Sequence, residues 1–116
     1  MIVDVDNRRF SPVTNSEGGR VSSDAVFTFH QNGHDFRADY AGAGFTDGHL
    51  IGRMNGSDIA ELVYHCRAPD GALEVGEATA LFKQIADAPM TITMAWRWLN
   101  GTQASGTSHY REILND

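Results

Sequence analysis

Five Asn-Gly or Asp-Gly dipeptides are spread along this chain, and they limit its fold more than any other feature. They lie at 32–33, 47–48, 55–56, 70–71 and 100–101. Such dipeptides favour the two positive-φ positions of a type I′ turn, which joins neighbouring antiparallel strands. The segments between them are short and rich in β-branched and aromatic residues. The sequence therefore predicts a meander of short antiparallel strands.

We predict eight strands, whose spacing of about ten residues is typical of an up-and-down barrel or a sandwich. Their bounds are 8–14, 23–31, 34–46, 49–54, 58–67, 72–80, 90–99 and 105–113. A Greek-key sandwich needs a long crossover connection, and only the loops near 15–22 and 82–89 have that length. A closed barrel leaves no edge strand unpaired. The sequence thus predicts an all-β, antiparallel up-and-down barrel in a single domain spanning 1–116.

Two segments depart from simple strand alternation. Within the third strand, Gly42-Ala43-Gly44 suggests a bend or bulge, which would let the sheet curl. The segment 77–88 fits two structures, because its apolar residues also recur at the spacing of a helix, namely Ala78, Leu81, Phe82 and Ile85. It is either a short helix ended by Pro89 or a sixth strand that runs on to about Leu81 before a longer loop. The sequence leaves both open, with the strand and loop favoured.

The composition narrows the class of function. The chain has 116 residues and a formal net charge of −6, whereas proteins that bind nucleic acid or anionic membranes present basic surfaces. No apolar run approaches the length of a membrane-spanning helix. The first six residues lack the basic region and the long apolar stretch of a signal peptide. We therefore expect a cytoplasmic protein with neither nucleic acid nor membrane as a partner.

Residues that would carry catalysis or bind a metal are sparse. The single cysteine, Cys66, cannot form an internal disulfide, and it alternates with Leu62 and Tyr64 on a predicted buried face. A buried thiol in apolar surroundings is inert. The five histidines form no metal-binding motif, and no nucleophile-elbow motif is present. We predict no metal site and no cofactor, and no catalytic residue can be assigned.

Two tryptophans are the strongest candidates for a ligand site. Trp96 and Trp98 lie two residues apart, so on a strand both point to the same face. A barrel interior makes them either core or the aromatic wall of a pocket, and a buried indole N–H needs a partner. The Asn-Gly turn at 100–101 lies just beyond Trp98. We expect Trp96 to belong to the core and Trp98 to line a pocket near the rim.

Polar groups on the same interior face complete the candidate site. Tyr40 and Tyr64 lie on the apolar faces of their strands, and hydroxyls in an apolar lumen are typical of small-molecule sites. His49, near a barrel rim, and Ser108 are weaker candidates. The set predicted to bind a small, partly apolar or aromatic ligand is Tyr40, Tyr64, Trp96, Trp98, His49 and Ser108. Two alternatives remain open, namely a structural or interaction module with a filled core and an enzyme of unknown reaction.

Several strings of this sequence resemble a family of small bacterial proteins of about this length. They are FSPVTNSEGG at 10–19, YAGAG at 40–44, GHLIG at 48–52, WRW at 96–98 and GTS at 106–108, together with Tyr64-His65, Asp70-Gly71, Gly76 and Glu112. The resemblance covers nearly the whole chain in the same order, and it implies a lipocalin-like or avidin-like barrel. Members of that family are frequently labelled N-acetylglutamate synthase, but the resemblance implies no catalytic residues. The chain departs from the family at Met94 and Ala95, where acidic residues are expected.

The synthase label has a physical requirement that the sequence does not meet. N-acetyltransferases of the common type bind the pyrophosphate of acetyl-CoA in a loop at a helix N-terminus. The segment 103–108 comes within one residue of that loop pattern, but the residues after it leave no room for the helix. We therefore expect no specific binding of acetyl-CoA.

Overall fold

The computed structural model of the protein describes residues 2–15, 25–42, 45–68, 70–101 and 103–114. It contains eight strands, which are β1 (Arg9–Asn15), β2 (Val26–Asn32), β3 (Asp35–Gly42), β4 (Phe45–Met54), β5 (Ile59–Arg67), β6 (Leu73–Lys83), β7 (Thr91–Trp98) and β8 (Ser105–Glu112). Each strand pairs antiparallel with the next along the chain, and β8 pairs with β1. The strands form a closed barrel, which confirms the predicted fold class.

Alternation along the strands decides which side chains form the interior. On β5 and β7 every second residue is buried and the residues between them face outward. The period of two is the direct consequence of strand geometry, since successive side chains point to opposite faces of a sheet. The interior is rich in aromatic rings, which meet as close pairs such as Phe10–Phe29 at 5.3 Å and Phe27–Tyr110 at 5.2 Å between centroids.

Three of the five predicted turn dipeptides lie between strands, and a fourth, Asn32-Gly33, consists of the last residue of β2 and the first residue of the loop after it. Between β2 and β3, Asn32 pairs with Asp35 across a two-residue loop. The first loop residue, Gly33, has φ of 65°, and His34 is not among the described residues with positive φ. Positive φ at the first position alone matches a type II′ turn. The hairpin joins the two predicted strands, but its loop lies one residue later than predicted and its turn type differs from type I′.

The fifth dipeptide, Asp47-Gly48, is not a turn, and the predicted boundary between the third and fourth strands is wrong. β3 ends at Gly42, and β4 begins at Phe45 and runs through both residues of the dipeptide. Gly48 faces inward on β4, where a Cβ atom would lie 2.2 Å from the ring of Tyr40. Gly48 is therefore needed because the Tyr40 ring occupies the space that a side chain at position 48 would fill. The pairing of β3 with β4 has a register irregularity between Tyr40 and Gly42. Of the segment 42–44, where a bend is predicted, residues 43 and 44 lie outside the described residues.

The segment 77–88 forms no helix. β6 continues to Lys83, and a loop without strand or helix leads to β7. Leu81 and Ile85, two members of the helical pattern, are 47% and 54% exposed. The alternating residues of β6 are the ones that reach the interior. Within the described parts of the chain, no helix is long and apolar enough to cross a membrane.

The N-terminal segment covers one end of the barrel, which we call the covered end. Val5 is fully buried there, and its backbone N–H donates to Oε1 of Gln31 at 2.7 Å. Backbone bonds from Val3 to Ser57 and from Asn7 to Phe29 fix the segment across the strand ends. At the opposite end, which we call the far end, β3, β5 and β7 finish. Trp98 is the last residue of β7, so it lies at the far end.

Candidate functional site

Five of the six predicted ligand-site residues lie on the interior face of the barrel. Tyr40, Tyr64, Trp96, Trp98 and Ser108 are all at most 9% exposed. They come from β3, β5, β7 and β8, so only closure of the sheet brings them into one interior. Whether they bind a ligand stays a prediction.

The sixth residue, His49, does not share that interior, and its predicted place in the lumen is wrong. It lies near the middle of β4 and is exposed, whereas its neighbours Gly48 and Leu50 are buried. Its Nδ1 lies 2.8 Å from Oδ1 of Asp39 on the outer wall. The observed β4 starts at residue 45 instead of the predicted residue 49, so His49 lies in the middle of the strand and not at the rim. Strand alternation places its side chain on the outer face of the barrel.

Tyr64 and Trp98 form an edge-to-face ring contact in the interior. Their ring centroids are 5.0 Å apart at an interplanar angle of 81°. Gly76 on β6 makes this contact possible, because it pairs with Tyr64 on one side and with Trp98 on the other. The glycine removes the side chain that would otherwise stand between the two rings. The result is an aromatic corner at the far end of the barrel.

The Tyr64 hydroxyl is buried and makes no hydrogen bond of normal geometry with the described residues. Desolvation raises the pKa of Tyr64, and the nearby Tyr110 and Cys66 add to the rise. A backbone hydrogen bond with Arg97, which falls outside normal hydrogen-bond geometry, opposes that rise in pKa. More than nine-tenths of buried polar groups in proteins have a partner, so this hydroxyl is an exception that calls for an explanation.

Tyr40 has its hydrogen bond within the protein. Its hydroxyl donates to the backbone oxygen of His65 at 3.2 Å, and its ring stacks on Phe27 at 4.5 Å between centroids. Burial is the largest cause of a raised pKa for Tyr40, and Cys66 raises it further. The hydroxyl of Tyr40 therefore links neighbouring parts of the barrel wall and, unlike the hydroxyl of Tyr64, is not available to a ligand.

Trp96 and Ser108 form a buried pair on neighbouring strands. The indole Nε1–H of Trp96 donates to Oγ of Ser108 at 2.6 Å. Ser108 is therefore the partner that a buried indole requires. Burial raises the pKa of Tyr110 to about 12, and its hydrogen bond with Ser108 opposes the rise. These contacts agree with the expected role of Trp96 as core.

Sequence reasoning did not place Tyr110 and Glu74 in the interior site. Tyr110 is 4% exposed and Glu74 is 7% exposed. Glu74 pairs across strands with Cys66, and its Oε2 approaches Gly101 in the turn after β7. Strand alternation is the signal that could have identified both residues. Glu74, for example, points to the same face of β6 as Gly76 and Ala78. Among the described residues, no group of three or more His, Cys, Asp or Glu side chains is placed to hold a metal ion.

A groove of about 1000 Å³ runs along the outside of the barrel, and it is a separate feature from the aromatic corner. It crosses β3 to β8 and is lined mostly by outward-facing side chains, among them Ile51, Val63 and Arg97. Ile51 is 63% exposed, which is high for its residue type. Arg97 forms an ion pair with Glu77 on the neighbouring strand.

One of three comparisons with known proteins finds a match, and it agrees with this architecture. The search of curated proteins and the search of solved structures each return no match for the chain. Neither supports the N-acetylglutamate synthase label or a bacterial origin. A family model described as avidin-like protein matches residues 3–113, which is nearly the whole chain and includes all eight strands. With a closed eight-stranded antiparallel barrel and a family match over that length, the chain belongs to the avidin-like protein family.

Proposed function

We propose that this protein binds a small, partly apolar ligand inside the barrel, at the aromatic corner formed by Tyr64 and Trp98. The avidin-like barrel is a fold typical of small-ligand binding, with biotin as one such ligand. The interior offers aromatic faces together with a few polar groups, which is the usual composition of a small-molecule site. No described group of residues favours an enzymatic reaction over binding.

The observation that carries the proposal is the buried hydroxyl of Tyr64, which makes no hydrogen bond of normal geometry with the described residues. A buried hydroxyl without a partner costs about 1–3 kcal/mol. A ligand that hydrogen-bonds to this hydroxyl would recover that free energy while its apolar part packs on the Trp98 ring. The ligand therefore needs a hydrogen-bonding group next to an apolar body of modest size.

Native mass spectrometry of the protein as purified is the first test, because it detects a retained ligand directly. The second test is titration with biotin and with anilinonaphthalene sulfonate, an apolar fluorescent probe, followed by intrinsic tryptophan fluorescence. We expect saturable binding of at least one compound, with a change in the emission of Trp98. Absence of both a retained ligand and any saturable binding would favour a module with a filled core.

Three variants locate the site. Tyr64→Phe is expected to fold at least as stably as the wild type, because it loses a buried hydroxyl that makes no hydrogen bond of normal geometry, but to bind at least several-fold more weakly. Trp98→Ala is expected to abolish binding at a smaller cost in stability than Trp96→Ala, for which we expect the roughly 3–5 kcal/mol of a core aromatic. Equal stability losses for both tryptophan variants, with binding unchanged in Tyr64→Phe, would contradict the proposal.

A further inference from the structure

Asp39, His49 and His65 form one row across three neighbouring strands on the outside of the barrel. Asp39 on β3 pairs with His49 on β4, and His49 pairs with His65 on β5. All three are exposed, as expected for the outward parity of their strands. The row is unrelated to the aromatic corner, which lies on the interior face of the same wall.

The carboxylate of Asp39 orients one of the two imidazoles. Oδ1 of Asp39 lies 2.8 Å from Nδ1 of His49. When Nδ1 carries the hydrogen and donates it to Asp39, Nε2 of His49 keeps its lone pair. A carboxylate that fixes the tautomer of a histidine in this way is the usual support of a metal-binding imidazole.

The distance between the two imidazoles fits a shared metal ion. Their ring centroids are 5.4 Å apart at an interplanar angle of 45°. A Zn–N distance of about 2.0–2.1 Å, with each ring centroid about 1.1 Å farther out, places two tetrahedrally arranged imidazoles about 5 Å apart. The observed separation of the two rings is therefore compatible with both imidazoles binding one ion.

We propose that His49 and His65 bind a late first-row divalent cation, with Asp39 as a positioning residue. Imidazole nitrogen suits Zn²⁺, Cu²⁺ and Ni²⁺, whereas Mg²⁺ and Ca²⁺ prefer oxygen ligands. The described residues supply two imidazoles and no third ligand placed to chelate the ion, so the remaining coordination positions are open.

The two histidines also line a groove of about 450 Å³. Its walls include the ion pair of Arg67 with Asp47 and the apolar side chains of Leu73 and Val75. A metal held by His49 and His65 would face this groove, where its open positions are accessible to water or to an anionic ligand. The site is of the exchangeable, surface kind rather than a closed structural site.

Calorimetric titration of the wild-type protein with each metal alone, in a buffer that does not chelate, tests the proposal. We expect binding of one ion per chain, with Cu²⁺ bound more tightly than Ni²⁺ or Zn²⁺ and no binding of Mg²⁺. His49→Ala and His65→Ala should each lower the Cu²⁺ affinity at least tenfold, and Asp39→Asn should lower it by about 10-fold to 100-fold. All three positions are exposed, so the variants should fold as the wild type does.

The matched control is His109→Ala on β8. His109 is an exposed outward histidine that contacts Thr93 at 3.1 Å, away from the proposed pair. It should leave Cu²⁺ affinity unchanged. Electron paramagnetic resonance of the Cu²⁺ complex should show two bound imidazole nitrogens in the wild type and in Asp39→Asn, and one in His49→Ala. Wild-type affinity in His49→Ala, or an equal loss in His109→Ala, would overturn the proposal.

Discussion

The ring of Tyr64 lies over Gly76, its register partner on β6, so closely that a Cβ on the glycine would stand 2.3 Å from the phenol oxygen. The same arrangement recurs twice, with Tyr40 over Gly48 and Phe36 over Gly52. In each case an aromatic ring covers the backbone of a cross-strand glycine, which protects a residue that would otherwise weaken the strand.

Replacement of Gly76 by alanine is expected to destabilise the barrel by about 1–3 kcal/mol, because the new methyl group must displace the Tyr64 ring. The matched control is Gly56→Ala in the loop before β5, where the nearest atom to a new Cβ is Cγ2 of Ile59 at 3.3 Å. Urea denaturation of both variants measures the difference. Equal stability of the two variants would show that the Tyr64 ring moves aside without cost.

The hydroxyls of Tyr64 and Tyr40 are expected to contribute to stability with opposite sign. Tyr64→Phe removes a buried hydroxyl that makes no hydrogen bond of normal geometry, so it should leave the free energy of unfolding unchanged or raise it. Tyr40→Phe breaks the bond to the His65 backbone oxygen and should cost about 1 kcal/mol. Thermal and urea unfolding provide the measurement, and a larger loss in Tyr64→Phe than in Tyr40→Phe would contradict this account.

The bond from Trp96 to Ser108 predicts a strong energetic coupling. Ser108→Ala leaves the buried indole N–H without its acceptor and should cost about 1–3 kcal/mol in the wild-type background. In a Trp96→Phe background the same change should cost clearly less, because the donor is gone. A double-mutant cycle on the free energy of unfolding measures the coupling. Identical costs in both backgrounds would mean that the bond contributes nothing net.

Stability is expected to fall in the alkaline range because burial raises the pKa of three interior tyrosines, Tyr40, Tyr64 and Tyr110. An unfolded tyrosine loses its proton near pH 10.0, whereas the pKa of folded Tyr110 is about 12. Above pH 10 the unfolded chain therefore binds fewer protons than the folded protein, and the free energy of unfolding decreases as the pH rises.

Each tyrosine should add about 1.4 kcal/mol per pH unit to this slope between its unfolded and folded pKa. Urea midpoints measured from pH 8 upward test the slope, and Tyr110→Phe should make it shallower. Phenolate absorbance should rise together with the loss of barrel circular dichroism. Titration of all three phenols near pH 10 in the folded protein would refute the prediction.

Local features of the sequence determined the class of fold and most of the interior. Turn dipeptides and period-two alternation act within a few residues, so they predict antiparallel strands and the inward position of Tyr40, Tyr64, Trp96 and Trp98. The same alternation shows why the helical pattern at 77–88 is not realised: its members at 81 and 85 remain exposed while β6 buries every second residue.

The tertiary structure decided which residues lie opposite each other on neighbouring strands. The sequence alone does not distinguish a glycine that starts a turn from one that lies under a ring, as Gly48 shows, because the ring of Tyr40 belongs to the neighbouring strand. Likewise, the pairing of His49 with His65 depends on the alignment of β4 with β5. Inter-strand hydrogen bonds set that alignment, and a shift of one residue would reverse which face each side chain occupies.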